Sequence, residues 1–184
     1  MQRNSKSVQD LRRAQSEQRS IVLIGMMGVG KSTIGRRLAA RLGLPFVDAD
    51  DEIIHAAGMS IPEIFEKYGE SGFRDGERRV IARLIEEGRQ VIATGGGAFM
   101  NEQTRDLLLE QALTIWLDAD VDILVERVGR REGRPLLQGK DPKAVLTELS
   151  ALRNPYYALA PLRVKSGNGP HDQTVDRIME ALKA

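Results

Sequence analysis

The sequence contains no cysteine, which excludes disulfides, thiolate metal sites and a thiol nucleophile and agrees with a reducing compartment. Charge of one sign is not in excess either. Lys and Arg number 27 against 26 Asp and Glu, a net +1 that gives no global pull toward nucleic acid or anionic lipid. Long apolar runs are missing: Ile21–Ile24 and Leu113–Leu117 are strand-sized, far short of the ~20 residues a membrane helix needs. Residues 1–19 lack the apolar core of a secretory signal. No internal repeat or low-complexity tract occurs. The expectation is a cytoplasmic protein with neither a membrane nor a nucleic-acid partner. A length of 184 residues allows one well-packed domain with a small mobile lid.

Residues 1–19 differ in composition from the rest. They carry five basic residues (Arg3, Lys6, Arg12, Arg13, Arg19) and two acids, with Val8 and Leu11 as the only branched aliphatic side chains. This reads as a solvated tail or short surface helix, with a basic arm for nucleic acid as the alternative. The folded part is expected to begin near Ser20.

From there strands and helices alternate. "SIVLI" is a short β-branched run, and Lys31–Leu42 places Ile34, Leu38, Ala39 and Leu42 at helical spacing. "LPFVDAD" reads as a second strand ending in carboxylates. Residues 51–88 read as helical pieces broken at Gly58, Gly69 and Gly72, with Ser60 an N-cap and Glu63 three residues on. "QVIATGGG" is a third strand running into glycines, "ALTIWL" a fourth and "LRVKS" a fifth. Helices are expected at 102–111, 120–128, between Pro142 and about Ala160, and at 172–183. Such alternation implies a parallel sheet covered on both faces, of about five strands at this length.

The segment from Gly25 to Ser32, "GMMGVGKS", matches G-x-x-x-x-G-K-[ST] between an apolar strand and a helix, the context this phosphate-binding loop requires. Backbone N–H groups of Gly28, Val29 and Gly30, with those of the following helix N-terminus (Lys31, Ser32, Thr33), would surround phosphate oxygens. Lys31 would reach the β- and γ-phosphates, and the Ser32 hydroxyl would serve Mg²⁺. A nucleoside triphosphate is the expected ligand. No Asn-Lys-x-Asp segment is present to read guanine, and the third strand ends without a carboxylate. The acids end the second strand instead. As Asp48 and Asp50 they would share one side of it, at the strand end that faces the ligand crevice. One could hold Mg²⁺, through water, while the other orients or deprotonates an acceptor hydroxyl; the alternative is a helix-capping pair.

Three features suit a small carboxylated acceptor. "GFRDGE" sets Arg74 three residues before Glu77, "LRNPYY" carries Arg153, and Gly95–Gly97 expose backbone N–H groups. Residues 129–136, "GRREGRPL", read as a lid whose glycines supply flexibility. Its Arg130, Arg131 and Arg134 supply charge to cover the phosphates, and Pro135 favours Arg134.

GMMGVGKSTIG, DADDEI, FRDGE, TGGG, RPLL and RNPYY, in this order and spacing across residues 20–183, together resemble the shikimate kinases. The resemblance implies a P-loop three-layer α/β sandwich like that of nucleoside monophosphate kinases, with a five-stranded parallel sheet and a mobile lid near 129–141. It implies transfer of the ATP γ-phosphate to the 3-hydroxyl of shikimate, with Mg²⁺, in the synthesis of chorismate and aromatic amino acids. Ser32 would bind Mg²⁺ and Asp48 would support it through water. Asp50 would contact the acceptor hydroxyls and act as base, within an acceptor region spanning about 48–80. Arg74, Gly96 and Arg153 would bind shikimate, with Phe65 and Phe73 walling its pocket. Arg134 would bind the ATP phosphates and act in catalysis beside Lys31. Arg130 would contact adenine, with Asn168–Pro170 as further candidates. The expected assembly is a monomer with ATP and shikimate as ligands. A gluconate-type kinase and a non-catalytic nucleotide-binding module are the alternatives.

Overall fold

The computed structural model describes residues 18–129 and 139–183. Ser20 stands just before the first strand: it is buried, and its Oγ donates to Gly88 O over 2.9 Å. Strand β1 (Ile21–Ile24) is buried at all four residues, as a central strand covered on both faces must be. Helix α1 (Lys31–Leu42) follows, burying Ile34, Leu38 and Ala39, and ends at Gly43, whose N–H caps Ala39 and Ala40 carbonyls. Next come β2 (Phe46–Asp48), α2 (Ala49–Ala57) and α3 (Ile61–Glu86). After β3 (Val91–Ala93), a 3-10 turn (Ala98–Met100) leads into α4 (Glu102–Gln111) and β4 (Leu113–Asp118). The chain closes with α5 (Val121–Gly129), α6 (Pro142–Tyr157), β5 (Leu162–Lys165) and α7 (His171–Ala181).

All five strands are parallel, in the order β2-β3-β1-β4-β5. The connection out of β1 passes over β3 to reach β2, and β4 lies on the other flank of β1. The order therefore reverses beside the C-terminal end of β1, where an open parallel sheet forms its ligand crevice. Among the described residues no helix is long and apolar enough to cross a membrane.

Two expectations need correction. Asp50 does not end a strand: β2 stops at Asp48, whose side chain caps α2 by accepting from Asp50 N over 3.1 Å. Asp50 therefore sits in the first helical turn with Asp51 and Glu52, where the helix dipole favours acids. Gly72 does not break the helix either. The interruption in α3 is at Gly69 alone, with φ 68° and ψ −178°, while the Ser60–Glu63 capping box starts the helix as expected.

Candidate active site

The glycine loop leaves β1 and turns into α1 around a hollow of about 380 Å³ at the crevice. Gly30, at φ 101°, is the N-cap of α1, a left-handed position that favours glycine. It offers no side-chain cap, so the first-turn N–H groups of Lys31, Ser32 and Thr33, all lining the hollow, suit an anion. Gly28 lines the hollow too. Val29 does not: its side chain is in the core, and its N–H donates to Met26 O over 3.3 Å. Lys31 Nζ donates to Gly25 O (2.8 Å) and Met26 O (3.0 Å), which holds the ammonium against the loop.

Ser32 Oγ donates to Asp48 Oδ2 over 2.5 Å, so these two oxygen ligands share one spot at the end of β2. Asp50 lines the same hollow. Burial pushes its carboxyl above the usual carboxylate range, the Asp48 charge adds to this, and Lys31 works against it. Asp48 and Asp50 thus reach one hollow, though by a helix cap and not by strand alternation.

The glycine triplet separates this hollow from a second one. Gly95 and Gly96 line the first, and Gly97 lines a cleft of about 770 Å³ with Arg74, Arg78, Met100 and Arg153. The approach is close. A Cβ on Gly96 would lie 3.3 Å from Arg153 Nη1, and one on Gly97 would lie 3.1 Å from Arg74 Nη1. Arg74 donates to Glu77 Oε2 over 2.7 Å, and its guanidinium lies 5.1 Å above the Phe73 ring. Phe73 in turn stacks on Phe65 at 4.5 Å. The aromatic pair lines neither hollow, so it supports Arg74 from behind. Glu77 is buried, and burial raises its carboxyl above the usual range, opposed by Arg74. Arg130 and Arg134 lie outside the described residues, as does most of the expected lid.

The sequence pattern assigns no site role to three further residues of this region, although one of them, Tyr157, stands in "RNPYY". Arg127, near the end of α5, donates to Val29 O (2.9 Å), Ser166 Oγ (3.0 Å) and Gly167 O (2.6 Å). It thereby ties the phosphate loop to the segment after β5. His171 begins α7 beside Gly30, and with Arg127 it lines both the phosphate hollow and an adjoining one of about 600 Å³ that includes Asn168, Gly169 and Pro170. Tyr157, in the last turn of α6, is fully buried and donates its hydroxyl to Gly96 O.

A parallel sheet with this loop at its switch point, and a carboxylate pair facing the loop, defines a P-loop kinase. The family model described as shikimate kinase matches residues 27–183, and the chain belongs to the shikimate kinase family. It is 60% identical over 166 residues to the shikimate kinase of Bradyrhizobium diazoefficiens, covering 90% of this chain and 80% of that one. To the shikimate kinase of Caulobacter vibrioides it is 58% identical over 165 residues, covering 90% and 82%. Shikimate kinase from Acinetobacter baumannii, solved in complex with shikimate, superposes with a TM-score of 0.85 at 36% identity, covering 93% of this chain and 96% of that one. A gluconokinase from Sinorhizobium meliloti reaches a TM-score of 0.61 at 22% identity over 89% and 91%, a likeness of fold alone.

Proposed function

We propose that the chain transfers the γ-phosphoryl group of ATP to the 3-hydroxyl of shikimate, giving ADP and shikimate 3-phosphate. The observation that carries this reading is the glycine triplet with the phosphate loop and Asp50 on one side and the paired cations Arg74 and Arg153 on the other. A small acceptor held by its carboxylate on the arginines would present a hydroxyl across the triplet toward Asp50.

In this assignment the loop amides and Lys31 bind and orient the β- and γ-phosphates. Arg74 and Arg153 grip the carboxylate, with Gly96 giving the ring room to approach the backbone. Asp50 accepts the proton of the attacking hydroxyl, and its raised pKa makes it a better acceptor near neutral pH. The hydroxyl oxygen then bonds to the γ-phosphorus as the bond to the β-bridging oxygen breaks. Lys31 balances the charge left on ADP, and Arg134 and Arg130 are assigned to the phosphates and adenine.

Ser32 Oγ and Asp48 Oδ2 suit Mg²⁺, a hard cation that takes one or two protein oxygens and completes its shell with water and phosphate. When bound, Mg²⁺ supplies charge neutralisation on the β- and γ-phosphates.

The reading extends to a cytoplasmic monomer with no nucleic-acid partner, in keeping with a net charge of +1; sedimentation at working concentration tests the monomer. The reaction is tested by coupled ADP release with shikimate, with gluconate and without acceptor. Turnover with shikimate alone is the expected result, and equal turnover with gluconate would sink the reading.

A further inference from the structure

We propose that Tyr157 is a positioning residue of the acceptor site, its hydroxyl locking the glycine turn at Gly96 to the turn of α6 that carries Arg153. The inference rests on the assignment of Gly96 and Arg153 to shikimate. Tyr157 lies four residues after Arg153, so both side chains emerge on one face of the helix. The phenol donates to Gly96 O, and the Arg153 charge acts on it from the same helix face. The hydroxyl thus ties the Gly96 turn to the turn of α6 that carries Arg153, two groups that must stand at a fixed separation for a carboxylated ring to fit between them.

The rest of the ring is held from the core. Phe99 stacks at 6.4 Å and Trp116 sits tilted at 6.0 Å, and Tyr157 is wholly buried. Phe99 belongs to the 3-10 turn that follows the glycines, so the same ring braces both ends of that segment. Burial pushes the phenol up to about 12, against the neighbouring arginine charges, and it remains a protonated donor at every working pH. A phenylalanine would fill the same space. What the hydroxyl adds is the link.

Initial-rate kinetics on the full chain test this with Tyr157→Phe and, as a packing control in the core beneath α7, Ile178→Val. In Tyr157→Phe the KM for shikimate should rise about 3- to 10-fold, the range of one lost hydrogen bond, with kcat within about 3-fold and the KM for ATP unchanged. Ile178→Val should lower Tm yet leave the KM for shikimate as it was. An unchanged shikimate KM in Tyr157→Phe, an equal rise in the KM for ATP, or an equal rise in Ile178→Val would overturn the proposal. If Tyr157→Phe does not fold, the unmodified enzyme decides by NMR. The Tyr157 hydroxyl proton should shift with shikimate and stay in place with ADP, and no shift with shikimate overturns the inference. Absence of shikimate phosphorylation by the unmodified enzyme would instead remove the functional reading on which it rests.

Discussion

Arg74 Nη1 lies 2.7 Å from Oε2 of Glu77, a side chain only 1% exposed, so the aim of the arginine is set from inside the protein. A buried carboxylate needs a partner, and this one has a partner whose other face lines the cleft. Glu77→Gln removes the charge and keeps the shape. The KM for shikimate should rise by about 10-fold or more, the scale of a charge-assisted bond, while the KM for ATP holds. Paired kinetics with each substrate varied in turn check this.

Asp50→Asn should cut turnover by ~10²-fold or more, the scale of a lost general base, with ADP binding kept. It should also stabilise the fold at neutral pH. Because the folded-state pKa of Asp50 is raised, the native protein holds this proton more tightly than the unfolded chain does. Its contribution to stability is full below the ordinary value of 3.8 and is lost as pH rises through the raised pKa. Asn carries no such loss, so Tm should exceed that of the parent at pH 7 and the gain should shrink as pH falls toward 3.8. Thermal melts across that range measure it.

Arg127→Ala should act on the nucleotide side. It removes the bonds to Val29 O, Ser166 Oγ and Gly167 O, which hold the phosphate loop to the segment after β5. An increase of about 10-fold in the KM for ATP is expected, from bonds to a charged group, with little change for shikimate. A change in the shikimate KM alone would contradict the placement.

Gly97→Ala should weaken the acceptor, because its Cβ would stand 3.0 Å from the Arg74 guanidinium carbon and displace the side chain. The KM for shikimate is expected to rise about 10-fold through loss of that charged contact. Gly76→Ala is the contrast: nothing lies within 4 Å of its Cβ position, in the body of α3. It should stabilise the protein by about 0.5–1 kcal/mol, as Gly-to-Ala does in a helix. Denaturant melts of both variants separate the two effects.

The order of strands and helices was legible because parallel strands buried on both faces are short apolar runs, and α1 repeats its apolar residues at 3.6-residue spacing. The phosphate loop was legible because its chemistry is local in sequence. Asp50 was misplaced because Asp, Ala, Asp satisfies strand alternation and an acidic helix start equally well, and the cap from Asp48 to Asp50 N decides between them. Gly69 and Gly72 look alike on paper, and only Gly69 takes up positive φ. Arg127 and Tyr157 act on partners 39–98 and 61 residues away, respectively, which no local pattern reports, although Tyr157 itself stands in "RNPYY".

The wall formed by Gly95–Gly97 has the phosphate loop, between β1 and α1, on one side and Arg74 of α3 and Arg153 of α6 on the other. Under the proposed assignment the donor and acceptor groups thus come from elements that are separate in the chain. Evolution can therefore exchange one half while keeping the other. A new acceptor requires new side chains at the Arg74 and Arg153 positions, and the phosphate loop can pass unaltered from one small-molecule kinase to the next.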